Sequence, residues 1–106
     1  MSSLSTHVLD TAAGRPGAGI AVTLTTRDGE EIGLGVTDAD GRVAAIGPER
    51  LEAGDYVLRF DTGGYFQGAI AFYPEVVVVF TVADPDQHYH VPVLLSPYGF
   101  TTYRGS

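Results

Sequence analysis

The chain has no cysteine, no tryptophan and no lysine. Without thiols there can be no disulfide framework, CxxC zinc site, iron–sulfur cluster or cysteine nucleophile. Without lysine there is no Schiff-base chemistry and no P-loop lysine. All the positive side-chain charge of the 106 residues rests on six arginines, Arg15, Arg27, Arg42, Arg50, Arg59 and Arg104, against 13 acidic residues, for a net charge of −7. A protein that tracks a nucleic-acid backbone needs a basic patch, and an anionic membrane surface attracts the same feature; this composition builds neither. Long apolar runs are also missing. The longest, 76–80, is far short of the ~20 residues that span a bilayer. The first ten residues lack the basic start and apolar stretch of a signal peptide. A cytoplasmic protein is expected. Charged residues make up only 18% of the chain, against a usual ~25%. With so much uncharged surface, a homo-oligomer or a sizeable interface is expected.

Glycine, by contrast, is abundant at 14 residues, about twice its usual ~7% share. With the prolines it punctuates the chain at the rhythm of an all-β sandwich, and the length fits a single domain over 1–106. The spacing predicts strands over 5–10, 20–26, 32–37, 42–46, 56–61, 76–82, 88–95 and 100–103. Asp28-Gly29 and Asp40-Gly41 are tight-turn signals. Ile32, Leu34 and Val36 alternate. The β-branched run 76–82 reads as a strand buried on both faces. Pro92 cannot donate to a ladder, so the strand holding it reads as an edge strand or the end of one. Residues 62–71 resist a strand assignment. Tyr65, Phe66 and Ala69 fall at helical spacing there, although Gly63, Gly64 and Gly68 weaken a helix. The fold class is all-β, a Greek-key β-sandwich of seven or eight strands, and without Cys or Trp it is not an antibody-type domain.

The three histidines are His7, His88 and His90. Residues two apart in a strand share a face, so His88 and His90 project together while Tyr89 and Val91 project oppositely. A lone strand histidine is usually a surface or satisfied core residue. A cluster of imidazoles with few charges nearby instead suits proton transfer at neutral pH. Two chemistries could use them. One is a zinc site built on His-x-His plus a third His. The other is metal-free general base catalysis, with an arginine gripping an anionic or carbonyl-rich ligand. Arg42, placed by the Asp40-Gly41 turn, is the candidate; its plain structural reading is a solvated charge at a strand end. Asp84-Pro85-Asp86 lacks the glycine and distal glutamate of a calcium loop and reads as a turn. The aromatic-rich end, SPYGFTTYRGS, suggests a docked terminus that could bring Tyr103, Arg104 and Ser106 into a site, or equally a plain last strand.

LSTHVLD at 4–10, TDADGR at 37–42, HYHVPVLLSPYGF at 88–100 and the terminal YRGS at 103–106 together strongly resemble the transthyretin-related family of 5-hydroxyisourate hydrolases, enzymes of purine catabolism. The likeness spans the chain, and the motifs fall in the family's order. Transthyretin itself lacks the HYH and YRGS pattern. The resemblance implies two four-stranded sheets with one short helix. It implies hydrolysis of 5-hydroxyisourate to the ureidoimidazoline product with no metal or organic cofactor. It also implies a homotetramer, a dimer of dimers, with sites at the dimer–dimer interface. Carried over by motif, the active-site residues fall on His7, Arg42 and His90, with Tyr103 lining the pocket and Ser106 orienting water. His88 is rated as support. The alternative is a transthyretin-like carrier of small aromatic ligands without turnover.

Overall fold

A computed structural model describes residues 3–67 and 69–106. In chain order the elements are β1 (Leu4–Asp10), β2 (Arg15–Pro16), β3 (Ala21–Thr26), β4 (Glu31–Val36), β5 (Arg42–Val43), β6 (Gly54–Phe60), α1 (Thr62–Phe66), β7 (Val76–Val82), β8 (Tyr89–Ser96) and β9 (Gly99–Thr102). One sheet runs β4-β3-β6-β7. The other runs β1-β8-β9, with β5 on the far edge of β1 and the two-residue β2 further along that edge. This is the expected β-sandwich of two four-stranded sheets, extended only by β2. Among the described residues, no helix is long and apolar enough to cross a membrane.

Alternation builds the core. On β1, Leu4, Thr6, Val8 and Asp10 are buried while Ser5, His7 and Leu9 are only partly so. Leu4, Val8, Val93 and Leu95 of one sheet face Val22, Leu24, Leu58 and Phe60 of the other, all nearly inaccessible to solvent. Truncating a buried ring such as Phe60 to alanine would cost about 3–5 kcal/mol. The short helix forms where the sequence resists a strand. Asp61 caps it by accepting from the Gly64 N–H, and Gln67 ends it in a left-handed conformation at φ 43°. Gly68, part of the same expectation, lies outside the described residues. Tyr65 of α1 donates to the buried Asp10 carboxylate at 2.6 Å, tying the helix to β1. The Asp10 carboxyl stays below its ordinary range. Burial pushes it up, but the Tyr65 hydroxyl, the Ala13 and Ala12 N–H groups and Arg15 outweigh that.

Three local expectations are corrected. The valine run is not buried on both faces: β7 is an edge strand, with Val77 42% and Val79 49% exposed. The alternating Leu34 and Val36 of β4 face outward. The inward positions are Gly33 and Gly35, where a Cβ would strike the Gly47 backbone and Val43. β8 is not an edge strand, since it pairs in parallel with β1 and antiparallel with β9. Pro92 is tolerated there because it falls in a gap. On the β9 side, Pro92 O accepts from Thr102 Oγ1 and His90 O accepts from Gly105 N–H, and the chain between them, Tyr103 and Arg104, leaves the ladder. The strand expected over 42–46 is paired only at Arg42–Val43.

Candidate active site

The outer face of the β5-β1-β8 sheet collects the polar residues singled out in the sequence. Register decides this: His7 lies opposite Arg42 on one side and Pro92 on the other, and Ser5 lies opposite His90. Side chains in register project to the same face, so Arg42, His7, Ser5 and His90 form one contiguous patch. Each has a local reason for its place.

Arg42 follows a turn held by Asp38, whose Oδ1 accepts from the Asp40 N–H at 2.9 Å and the Arg42 N–H at 3.0 Å. Those bonds, the Arg42 N–H foremost, hold the Asp38 carboxyl below its ordinary range, helped by the charges of Arg42 and His7. Gly41 turns the chain at φ 77°, a conformation open to glycine, and a Cβ there would collide with the Val8 carbonyl. The Gly41 carbonyl in turn accepts from the Val8 N–H, pinning the turn to β1. Among the described residues, the Arg42 guanidinium makes no ion pair or hydrogen bond, so its planar fork of donors is available to a ligand.

His7 Nε2 lies 2.9 Å from the Asp40 carbonyl oxygen. A carbonyl only accepts, so Nε2 carries the proton and donates it, leaving Nδ1 for other work. His90 Nδ1 lies 2.7 Å from Ser5 Oγ, which also lies 2.8 Å from His88 Nε2. Nδ1 being engaged, Nε2 of His90 is left for a ligand. The His90 imidazole titrates below its ordinary 6.5: partial burial lowers it most, followed by the positive charges of Arg42, His7 and His88. It is therefore neutral at pH 7, the form that accepts a proton.

The terminus is docked. Gly105 bridges to His90, its N–H donating to the His90 carbonyl at 2.8 Å. It lies so close that a Cβ would stand 2.5 Å from His90 Cδ2 and 3.1 Å from Pro92 Cγ. Ser106, next in sequence, is exposed. Tyr103 and Arg104 turn elsewhere. With His90 they line a cleft of about 290 Å³ at the sandwich edge, whose opposite wall is Val78 to Thr81 of β7. Arg104 lies over the Tyr89 ring, 4.6 Å from its centroid, and bonds Gln87 Oε1. Thus His7, Arg42 and His90 gather on the outer face, whereas Tyr103 lines the neighbouring cleft with His90, and Ser106 is held only through the docking of Gly105. Among the described residues, no three His, Asp or Glu side chains are grouped to hold a metal ion.

Sequence reasoning missed two residues at this site. Ser5 gives no signal of its own, being one hydroxyl in a polar-alternating strand. Gly105 does sit inside the YRGS motif, but its close approach to His90 needs coordinates.

The profile of the HIUase/Transthyretin family matches residues 4–105. A 5-hydroxyisourate hydrolase of Caulobacter vibrioides is 45% identical over 115 aligned positions, covering 100% of both chains. One from Mus musculus is 43% identical, covering 99% of this chain and 96% of its own. Among solved structures, the 5-hydroxyisourate hydrolase of Klebsiella pneumoniae superposes with a TM-score of 0.91 at 39% identity over 100% of both chains. Sea bream transthyretin in complex with thyroxine superposes at 0.85 with 36% identity, covering 97% of this chain and 94% of its own. With fold, motifs and full-length relatives in agreement, the chain belongs to the HIUase/transthyretin family.

Proposed function

We propose that this protein hydrolyses 5-hydroxyisourate to 2-oxo-4-hydroxy-4-carboxy-5-ureidoimidazoline, a step of urate degradation, by metal-free acid–base catalysis. The observation that carries the reading is the register that sets Arg42, His7 and His90 side by side on one sheet face. The hydrolase names of full-length relatives support the same substrate.

The residues divide the work by their bonds. Arg42 grips the carbonyl-rich ring or its anion. His90, neutral at pH 7, takes a proton from water through Nε2 as the water oxygen attacks the ring carbonyl. The amide bond to the ring nitrogen then breaks. Protonation of the leaving nitrogen falls to His7, which the Asp40 carbonyl steadies through Nε2. Acid–base catalysis of this kind contributes roughly 10²–10⁴-fold. Ser106 orients the water, and Tyr103 borders the substrate.

A single copy presents this patch as an open face, where water screens every charge. Closing it requires a second sheet, which supports a homotetramer, a dimer of dimers, with sites at the dimer–dimer interface. The test is substitution of His7, Arg42 or His90 by alanine. Each variant should fold and lose most activity, and near-wild-type rates in all three would defeat the proposal. The likeness to transthyretin supports a second reading, a carrier of small aromatic ligands. That reading predicts substrate binding without turnover.

A further inference from the structure

The carbonyl that accepts from His7 Nε2 belongs to the peptide unit joining Asp40 to Gly41. Its direction decides which nitrogen of His7 keeps the proton. In a trans peptide the N–H and C=O point opposite ways, so fixing one aims the other. The Gly41 N–H of this unit donates to the Asp38 carbonyl at 2.9 Å. The next unit repeats the arrangement. Its Arg42 N–H donates to Asp38 Oδ1 at 3.0 Å, and its Gly41 carbonyl accepts from the Val8 N–H at 2.7 Å. Oδ1 also accepts from the Asp40 N–H at 2.9 Å. Asp38 thus gathers the N–H groups of Asp40, Gly41 and Arg42, and the carbonyls of Asp40 and Gly41 are turned away from it onto β1.

Asp38 is itself firmly placed. Thr37 before it is buried, its N–H donating to the Ile20 carbonyl at 2.9 Å. The Thr37 hydroxyl donates to the Gly17 carbonyl at 2.6 Å and accepts from the Ile20 N–H at 2.9 Å. The Asp38 N–H donates to the Arg42 carbonyl at 2.9 Å, closing the turn from the other side. The Asp38 carboxyl, held below its ordinary range chiefly by the Arg42 N–H, is an anion at neutral pH. Hydrogen bonds to an anion are roughly twice as strong as neutral ones.

We infer that Asp38 is a positioning residue for the reaction: through this turn it presents the Asp40 carbonyl to His7 and sets Arg42 toward the substrate. The inference rests on the hydrolase reading above. Asp38 acts through these two side chains and not on the substrate. Without its carboxylate the Asp40 and Arg42 N–H groups lose their acceptor and must turn to water. The peptide between them moves with them. Nε2 of His7 then loses the fixed acceptor that keeps its proton, and both tautomers of the ring become populated. Arg42 shifts with its own N–H.

The experiment compares wild type with Asp38→Ala, Asp38→Asn and Asp38→Glu by steady-state turnover and by nitrogen NMR of the histidine rings. Asp38→Ala should lower kcat about 10- to 100-fold, the scale of a misplacement by about 1 Å. KM should rise severalfold as the grip of Arg42 loosens. Partial unfolding would lower kcat and leave KM where it is, so the joint change separates positioning from lost stability. Asp38→Asn keeps the acceptor oxygen in the same turn without the charge, and should restore most of both constants. Asp38→Glu keeps the charge but moves it by a methylene, and should fail as Asp38→Ala does. In the spectra, wild type and Asp38→Asn should show His7 protonated at Nε2, and the other two variants a mixture of tautomers. The contrast of Asp38→Asn with Asp38→Glu carries the test even if Asp38→Ala folds poorly. Wild-type constants in Asp38→Ala, an unmoved His7 tautomer, or activity kept by Asp38→Glu and lost by Asp38→Asn would overturn the inference and leave the hydrolase reading intact. Absence of turnover by wild type would overturn the hydrolase reading, while the spectra, which need no substrate, would still show whether Asp38 holds His7.

Discussion

Replacing Gly105 by alanine probes how tightly the terminus is fitted over His90. The added Cβ would stand 2.5 Å from His90 Cδ2, 3.3 Å from His90 Cγ and 3.1 Å from Pro92 Cγ. Carbon atoms rest at about 3.5–4.0 Å, so the gap must open by about 1 Å. The neighbours cannot yield it. The Pro92 ring is part of the β8 backbone, and the His90 ring is held by Ser5. The terminal segment must therefore lift, breaking the bond from Gly105 N–H to the His90 carbonyl. A bond of that kind contributes about 0.5–1.5 kcal/mol. In a domain of this size each kcal/mol lowers Tm by about 4–8 °C, so the fold survives with a loss of roughly 2–12 °C. Activity should fall much further, since about 1 Å of misplacement at a reacting centre costs on the order of 100-fold. Initial rates of substrate decay and thermal unfolding on the same preparation measure both quantities. Full activity in the variant, or a loss no larger than its unfolded fraction, would refute the reasoning.

Other outcomes follow from the same geometry. His90 must be neutral to accept a proton, and its folded pKa lies below 6.5. Activity should therefore persist as pH falls through 6.5 and fail only at a lower pH. Removing the Arg42 charge should move the His90 midpoint upward in an NMR titration, and an unmoved or lowered midpoint would contradict this. The same shift affects stability. The unfolded chain protonates His90 near 6.5 and the folded chain only below it, so this contribution is present above 6.5 and lost as pH falls through the folded pKa. Tyr65→Phe removes a hydroxyl donor from the buried Asp10. With two backbone donors left on that carboxylate, the expected loss is about 1–2 kcal/mol, read by denaturant unfolding. If a second copy closes the site, specific activity should drop on dilution below the assembly constant. A monomer mass by light scattering in a fully active sample would contradict the shared site.

Much of this was legible in the sequence because strand geometry is simple. The Asp-Gly turns and the two-residue period of β1 and β8 put His7, His90 and Arg42 on identifiable faces, and the motifs identified the family. What was hidden is instead decided between strands. Val76 to Val82 has no alternation, so nothing in it distinguishes a central strand from an edge. On β4 the apolar residues alternate faithfully, yet Leu34 and Val36 face outward, because Val43 and Gly47 pack so close that only glycine fits inside at 33 and 35. Pro92 argues against an interior strand until the departure of Tyr103 and Arg104 from the ladder shows where its missing donor falls. Ser5 becomes visible as a bridge only once β1 and β8 pair in parallel with Ser5 opposite His90.

The central claim is tested most directly by the ultraviolet decay of 5-hydroxyisourate, generated in place by urate oxidase, with and without this protein and in the presence of a strong chelator. The account predicts decay well above the spontaneous rate and unchanged by the chelator. Decay at the spontaneous rate with folded, assembled protein would contradict it and favour a carrier. Decay abolished by the chelator would contradict the metal-free mechanism.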